Sequence, residues 1–312
     1  MASPFEKLVD SSHRYSPVQA ILDLPPDALL GVSAADSGSL KTAFGIETIR
    51  DLASSPEFAA AVALMRAAQE PGFDGGPTPE WAAIFETAPL PAYQVSDRFR
   101  LEFGPVYYRG RLNGTARLLI VGQDPAPNEL IAHRIFVGAS GQRIQGLLHK
   151  LGTDRSYLMF NTFLYSVFGQ YDSELAEISG RPPIAGFRER ILDKALEDNP
   201  IEVIIAVGRA AREAVDWWDP PGAIHRENIT HPGSPDSAAV SADWNLALET
   251  LGAAFEPDPE MVADLTPYGD GFAESDHEPI PKGDLPFGIP EFLGRGDHVT
   301  RDGNDVLVFE AP

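Results

Sequence analysis

The chain has 312 residues and no cysteine, and lysine and arginine are scarce. Without cysteine the protein forms neither a disulfide nor a cysteine-ligated zinc or iron–sulfur centre. The N-terminal segment lacks the apolar stretch of a secretory signal, and no apolar run approaches the roughly 18 residues of a membrane-spanning helix. From these absences we expect a soluble, cytoplasmic protein with no membrane partner.

The second shortage is positive charge. Lysine and arginine number 24 against 46 aspartates and glutamates, which gives a net charge of −22. A charge of that sign argues against broad attraction to a polyanion such as nucleic acid. Half of the excess lies in residues 255–312, which hold 3 basic and 14 acidic side chains. The central part of the chain is therefore much closer to neutral.

Composition and periodicity divide the chain into three segments. Residues 1–100 are predicted to be a helical N-terminal extension, and residues 40–52 within them faintly resemble a helix-hairpin-helix, although an ordinary helical turn is the better interpretation. Residues 101–254 alternate strand and helix. Residues 255–312 are acidic and rich in proline and glycine, so we expect an extension that packs on the domain or trails from it. Asp302-Gly303-Asn304-Asp305 predicts a terminal hairpin.

Three short apolar segments and a weaker fourth segment in the middle of the chain predict strands, and the first of them is typical of a strand buried on both faces. They are Leu118–Val121, Tyr157–Phe160, Ile201–Val207 and Ile224–Thr230. Apolar residues at helical spacing lie between and after them. Strands that alternate with helices pair in parallel, so we predict an α/β fold, a three-layer α/β/α sandwich with a four-stranded parallel sheet.

Two polar motifs follow the first and the last of these strands. Gly122-Gln123-Asp124-Pro125 comes after the first, and His231-Pro232-Gly233-Ser234-Pro235 comes after the last. The carboxyl ends of parallel strands meet at one edge, where an acid and an imidazole can face a single small ligand. Taken alone, Asp124 before proline is ordinary turn chemistry, and His231 is a common residue at a strand end.

Four motifs in this order resemble the uracil-DNA glycosylase superfamily, most closely its family 1. The resemblance spans about residues 117–254 and rests on the Gly122–Pro125 string, Ala132-His133 followed by Phe136, Asn161 after three large apolar residues, and the His231–Pro235 string. It implies a sheet with strand order 2-1-3-4. His133 is expected to be structural.

The resemblance also implies roles for individual residues. Asp124 would stabilise positive charge on the sugar and orient water, and His231 would donate a hydrogen bond to the uracil O2 as the base leaves. Asn161 would read the O4 and N3–H edge, and Phe136 would stack on the base. Gln123, Pro125 and Ala126 would line the pocket. No metal and no cofactor are required.

Contacts to DNA are expected near two turns of the chain. One group lies at a helix N-terminus and the other follows the last strand: Ser140, Gln142 and Arg143, then Ser234 and Pro235. The expected partner is uracil-containing DNA, single- or double-stranded, bound by a monomer. The expected reaction is hydrolysis of the N-glycosidic bond to leave an abasic site, a step of base excision repair.

Three positions depart from the family pattern and keep alternatives open. Ala126 replaces a tyrosine whose bulk excludes the thymine methyl group, Gly233 is additional, and Asp236 replaces an intercalating leucine. An acid does not wedge readily into a base stack, so Pro235 is a candidate substitute. Two alternatives therefore remain: a non-catalytic binder of uracil DNA or abasic sites, and a glycosylase of broader range that accepts thymine mismatches or deaminated purines.

Overall fold

The computed structural model describes residues 8–13, 16–69, 74–286, 299–302 and 306–309. The chain divides into two compact units, Met1–Pro71 and Gly72–Pro312. The helices of the first unit are α1 (Val18–Leu22), α2 (Ala34–Phe44), α3 (Ile49–Ser54) and α4 (Pro56–Gln69).

Local capping sets the helices of the first unit. Ser33 and Thr48 each accept a hydrogen bond from the main chain three residues on, and the aspartate at that position bonds back to the cap. Gly45 ends α2 in the left-handed region with a φ of 69°, which glycine adopts without strain. The chain therefore passes from α2 to α3 through a short turn that begins at Gly45.

The second unit holds the remaining elements. Its helices are α5 (Pro79–Phe85), α6 (Leu90–Gln94), α7 (Pro127–Ala132), α8 (Ala139–Lys150), α9 (Ser173–Ser179), α10 (Pro182–Asp198), α11 (Arg209–Trp218) and α12 (Ser237–Ala254). Its strands are β1 (Phe99–Arg100), β2 (Arg109–Gly110), β3 (Leu118–Gly122), β4 (Tyr157–Asn161), β5 (Ser166–Val167), β6 (Val203–Val207), β7 (His225–Ile229), β8 (Val299–Asp302) and β9 (Val306–Phe309).

A mostly parallel sheet in the order β2-β4-β3-β6-β7 forms the centre of this unit. Its four parallel strands have the predicted 2-1-3-4 order. The sheet has one strand more than the four that were predicted, because β2 pairs antiparallel with β4 at the edge. Arg109-Gly110 carries no apolar pattern, and Gly110 is required by geometry, since a Cβ there would lie 2.3 Å from the Tyr157 carbonyl oxygen.

The sheet is covered by helices on both faces, which confirms the three-layer sandwich. Alternate side chains of β3 enter different cores, Leu119 and Val121 on one face and Leu118 and Ile120 on the other. The first core also includes Trp81, Phe85, Tyr93 and Phe99. We expected the N-terminal extension to reach residue 100, whereas the geometric division falls after Pro71 because these aromatic residues pack into the second unit.

Residues 255–286 pack against the rest of the second unit. Tyr268 and Phe272 contact Trp244 edge to face, with ring centroids 5.9 and 4.9 Å from it. Asp284 is fully buried and accepts hydrogen bonds from Arg111 at 2.7 Å and from the Tyr157 hydroxyl at 2.6 Å. Charge pairs, hydrogen bonds and aromatic contacts therefore hold this acidic segment against the domain.

The predicted terminal hairpin is present in β8 and β9, which pair antiparallel, and β8 lies against α7. The rest of the predicted extension, residues 287–298, 303–305 and 310–312, lies outside the described residues. Among the helices that the structure describes, none is long and apolar enough to cross a bilayer.

Candidate active site

The strand ends bring the predicted residues to one edge of the sheet. β3 ends at Gly122, two residues before Asp124, and β4 beside it ends at Asn161. β7 ends two residues before His231 and is separated from β3 by β6 alone. Two strand spacings of about 4.8 Å place β3 and β7 about 10 Å apart, a gap that two side chains span around one nucleoside. The acid and the imidazole therefore follow strands that end at the same edge of the sheet.

Asn161 and Phe136 meet over Gly122. A Cβ on Gly122 would lie 2.4 Å from the Asn161 Oδ1 atom and 2.7 Å from the Phe136 Cζ atom. Both side chains are buried, and Asn161 Nδ2 has no hydrogen-bond partner in the part of the chain that the structure describes. A buried amide donor without a partner costs about 1–3 kcal/mol, a cost that a ligand acceptor removes. We refer to Gly122, Phe136 and Asn161 as the base site.

A buried glutamate holds the loop that carries Phe136. The Phe136 main-chain nitrogen donates to Glu129 Oε1 at 2.7 Å, and the Ala126 nitrogen donates to Glu129 Oε2 at 3.0 Å. Phe136 itself has a φ of 54°, a region that a non-glycine residue adopts only when its surroundings hold it there. Our sequence analysis missed Glu129, although its place in the first turn after Ala126-Pro127 is the spacing of a capping residue.

Burial determines the protonation of Glu129. Its side chain is 5% exposed, and this burial raises the pKa of its carboxyl group to about 8. The two main-chain N–H groups lower that pKa, while the charge of Asp124 raises it further. At neutral pH a carboxyl group with this pKa is mostly protonated.

Asp124 is held by two donors. Its Oδ1 atom accepts from Gln123 Nε2 at 2.9 Å, and its Oδ2 atom accepts from the Val167 main-chain nitrogen in β5 at 2.8 Å. These two bonds fix the orientation of the carboxylate. The Gln123 side chain thus contacts the acid, while Pro125 is buried and Ala126 is exposed.

The hydrogen bonds of His231 define which ring nitrogen carries the proton. His231 Nδ1 accepts from the Gly233 main-chain nitrogen at 3.0 Å, so a neutral ring carries its proton on Nε2. Burial lowers the pKa of His231, and the Arg143 guanidinium lowers it further. The imidazole is therefore a neutral Nε2–H donor, and the additional Gly233 is the residue that orients it.

A comparison of the sequence with protein families gave one match. Residues 109–245 match the family model described as the uracil DNA glycosylase superfamily. These residues form a domain of that superfamily. The matched range contains the central sheet together with Asp124, Asn161 and His231. A search of curated proteins gave no match to the chain. Membership supports a glycosylase-type function on DNA in general.

Arg143, which we predicted to contact DNA, has its guanidinium bonded within the protein. Arg143 donates to the Pro232 carbonyl oxygen and, through Nε, to His277 Nε2 at 2.9 Å, and its guanidinium lies 5.2 Å from the centre of the Phe272 ring. Gln142 is 8% exposed. Arg143 thereby joins the loop after His231 to the C-terminal extension. The DNA contacts expected for Arg143 and Gln142 stay predictions.

The other predicted DNA contacts lie nearer the surface. Ser140 and Ser234 are partly exposed, and Pro235 is exposed. A Cβ on Gly233 would lie 3.4 Å from the Ser140 Oγ atom, so the start of α8 and the loop after His231 are adjacent. Asp236, which stands where family 1 has its leucine, accepts from the Ala239 main-chain nitrogen at 3.0 Å and caps α12. Its carboxylate therefore caps the N-terminus of α12.

Proposed function

We propose that this protein excises uracil from DNA. The proposal depends most on the base site, where the unpartnered Asn161 Nδ2 donor and the Phe136 ring meet over the glycine that leads to Asp124. A uracil stacked on Phe136 offers its O4 atom as an acceptor for this donor, whereas cytosine presents an amino group there. With cytosine bound, buried polar groups would stay unpaired, which disfavours cytosine relative to uracil by about 1–3 kcal/mol.

Asp124 and His231 stabilise opposite charges as the bond breaks. Cleavage of the N1–C1′ bond leaves its electron pair on uracil, and the sugar becomes positive. Asp124, oriented by Gln123 and Val167, stabilises the sugar and directs a water molecule to C1′. His231 donates from Nε2 to the uracil O2 atom as this atom gains charge.

Ala126 supports a second candidate, a wider substrate range. Its side chain is small and exposed, and its main-chain nitrogen is bonded to Glu129. No bulky group of residue 126 therefore opposes a methyl group at C5 of the base. Thymine in a mismatch and hypoxanthine belong in the same assay as uracil.

The test is single-turnover excision from labelled oligonucleotides that contain uracil, thymine or hypoxanthine, followed by alkaline cleavage of the abasic site. We expect Asp124→Asn and His231→Ala each to slow uracil release by about 10²–10³-fold. Removal of one preorganised electrostatic group from an active site typically lowers the rate by this factor. Asp216→Asn and His149→Ala, at exposed positions of α11 and α8, are the matched controls.

Each outcome has a distinct meaning. Uracil release by the unmodified protein that falls in both variants supports the proposal. Binding of the oligonucleotide without strand cleavage would instead establish a binding protein. Wild-type rates in Asp124→Asn would remove the assigned role of the carboxylate.

A further inference from the structure

The C-terminal extension crosses α8 and places His277 against that helix. The approach is so close that a Cβ on Gly146 would overlap the Asp276 carbonyl oxygen. Two residues further along, the Glu278 main-chain nitrogen donates to the Gln142 carbonyl oxygen at 3.1 Å. These two main-chain contacts fix the position of His277, which lies between them in the sequence.

His277 is the hydrogen-bond acceptor for one end of the Arg143 side chain. Arg143 Nε donates to His277 Nε2 at 2.9 Å, and the guanidinium lies 5.2 Å from the centre of the Phe272 ring. Because Nε2 accepts, the neutral imidazole of His277 carries its proton on Nδ1. A guanidinium is planar and rigid, so a bond at Nε also sets the direction of its other N–H groups.

The other end of the guanidinium holds the turn that follows β7. Arg143 Nη1 donates to the Pro232 carbonyl oxygen. The N–H of the same peptide unit, that of Gly233, donates to His231 Nδ1 at 3.0 Å. Because a peptide unit is planar, fixing its oxygen also fixes the direction of its N–H. A cation bonded to the oxygen polarises the N–H as well, which strengthens the bond to the imidazole.

We propose that His277 is a positioning residue for His231. It acts through Arg143 and the peptide unit between Pro232 and Gly233, and this chain of hydrogen bonds directs the His231 Nε2–H group at the leaving base. His277 lies outside the matched residues 109–245, so the role belongs to the C-terminal extension. The inference rests on the proposed function, which assigns the leaving base to His231.

Protonation of His277 breaks this chain of hydrogen bonds, because a protonated imidazole has no acceptor and its charge faces the Arg143 guanidinium. Among the described residues, the charged groups that act on His277 are Arg143 on α8 and Asp276 and Glu274 on its own turn. Burial and Arg143 lower the pKa of His277, and the two carboxylates offset part of that effect. His277 is therefore a neutral acceptor at neutral pH and loses this role only below its usual pKa of 6.5.

Single-turnover excision at saturating protein, measured from pH 7.5 to pH 5 for wild type, His277→Gln and His277→Ala, tests the role. Glutamine places an acceptor oxygen near the position of imidazole Nε2 and does not titrate, so His277→Gln should match wild type at pH 7.5. His277→Ala should be about tenfold slower there, with little change in the half-saturating protein concentration. His149→Gln, at an exposed position of α8, is the matched control and should equal wild type at every pH.

The ratio of the wild-type rate to the His277→Gln rate isolates the titration of His277, because His231 titrates in both proteins. The ratio should fall from about one at pH 7.5 toward about one tenth at lower pH. Its midpoint should coincide with the pKa of His277, measured by NMR from the imidazole signal that His277→Gln lacks. A ratio that stays constant over this range would overturn the proposal, and this comparison holds even if His277→Ala fails to fold.

The Pro232 carbonyl carbon separates this proposal from the proposed function. Its NMR chemical shift, recorded through the Gly233 amide on protein without DNA, should move as His277 titrates in wild type, and this step should be absent in His277→Gln. The step in a protein that releases no uracil would refute the proposed function alone. A carbonyl signal that is the same in wild type, His277→Gln and His277→Ala at every pH would overturn the positioning role, whatever the excision rates.

Discussion

Replacing Glu129 with glutamine tests the buried group that holds the base site in place. Glu129 accepts from the main-chain nitrogens of Ala126 and Phe136 through its two oxygens. Glutamine has nearly the same shape and one acceptor oxygen, so one of the two N–H groups loses its partner. A buried N–H without an acceptor costs about 1–3 kcal/mol. At a pH where the Glu129 carboxyl group is protonated in both the folded and the unfolded protein, we expect Glu129→Gln to be less stable than wild type by that amount.

The stability penalty on wild type grows with pH. The pKa of Glu129 is about 8 in the folded protein against an ordinary value of 4.5. Below pH 4.5 the carboxyl is protonated in both states. Above it the unfolded chain loses the proton first, so folded-state stability falls until pH reaches about 8. The pKa gap corresponds to about 5 kcal/mol. Because glutamine does not titrate, the stability difference between the two proteins should change sign near pH 6.

Urea denaturation of wild type and Glu129→Gln at pH 5, 6.5 and 8 measures this difference. Glu249→Gln on the exposed face of α12 is the matched control, and it should track wild type at every pH. Because the Phe136 amide loses part of its anchor, uracil excision by Glu129→Gln should also fall about tenfold. A pH-independent stability difference would refute the assignment of a raised pKa, and wild-type excision would refute the positioning role.

Two further predictions follow from the site. Gly122→Ala should reduce uracil excision more than tenfold and destabilise the fold by about 1–3 kcal/mol, because its Cβ would overlap the base-site amide and ring. Gly186→Ala, in the interior of α10 with nothing within 4 Å, should leave excision unchanged and stabilise the fold by about 1 kcal/mol, and equal behaviour of the two variants would contradict the packing. The lowered pKa of His231 should place the acid limb of kcat/KM below pH 6.5, since the neutral imidazole is the active form. Arg143→Met should move the acid limb of kcat/KM to higher pH, because it removes the positive charge, and Arg143→Lys should leave the limb in place. An unchanged limb in both variants would exclude the Arg143 charge as a cause of the lowered pKa of His231.

Most of the central fold was predictable because its signals are local. Apolar runs in β3, β4 and β6 mark strands buried on both faces. The edge strand β2 and the short helix α7 were missed. Arg109-Gly110 is too short and polar for a strand pattern, and α7 begins with a proline after a turn. Both elements depend on partners that are distant in sequence.

The sequence by itself determined the order of strands and helices and placed an acid, an amide and an imidazole after three of the strands, because periodicity and turn residues act over a few positions. Tertiary structure alone decided that Glu129 holds the stacking loop and that Arg143 joins the extension to the His231 loop. These facts depend on burial and on distances between remote segments, which spacing along a chain does not encode.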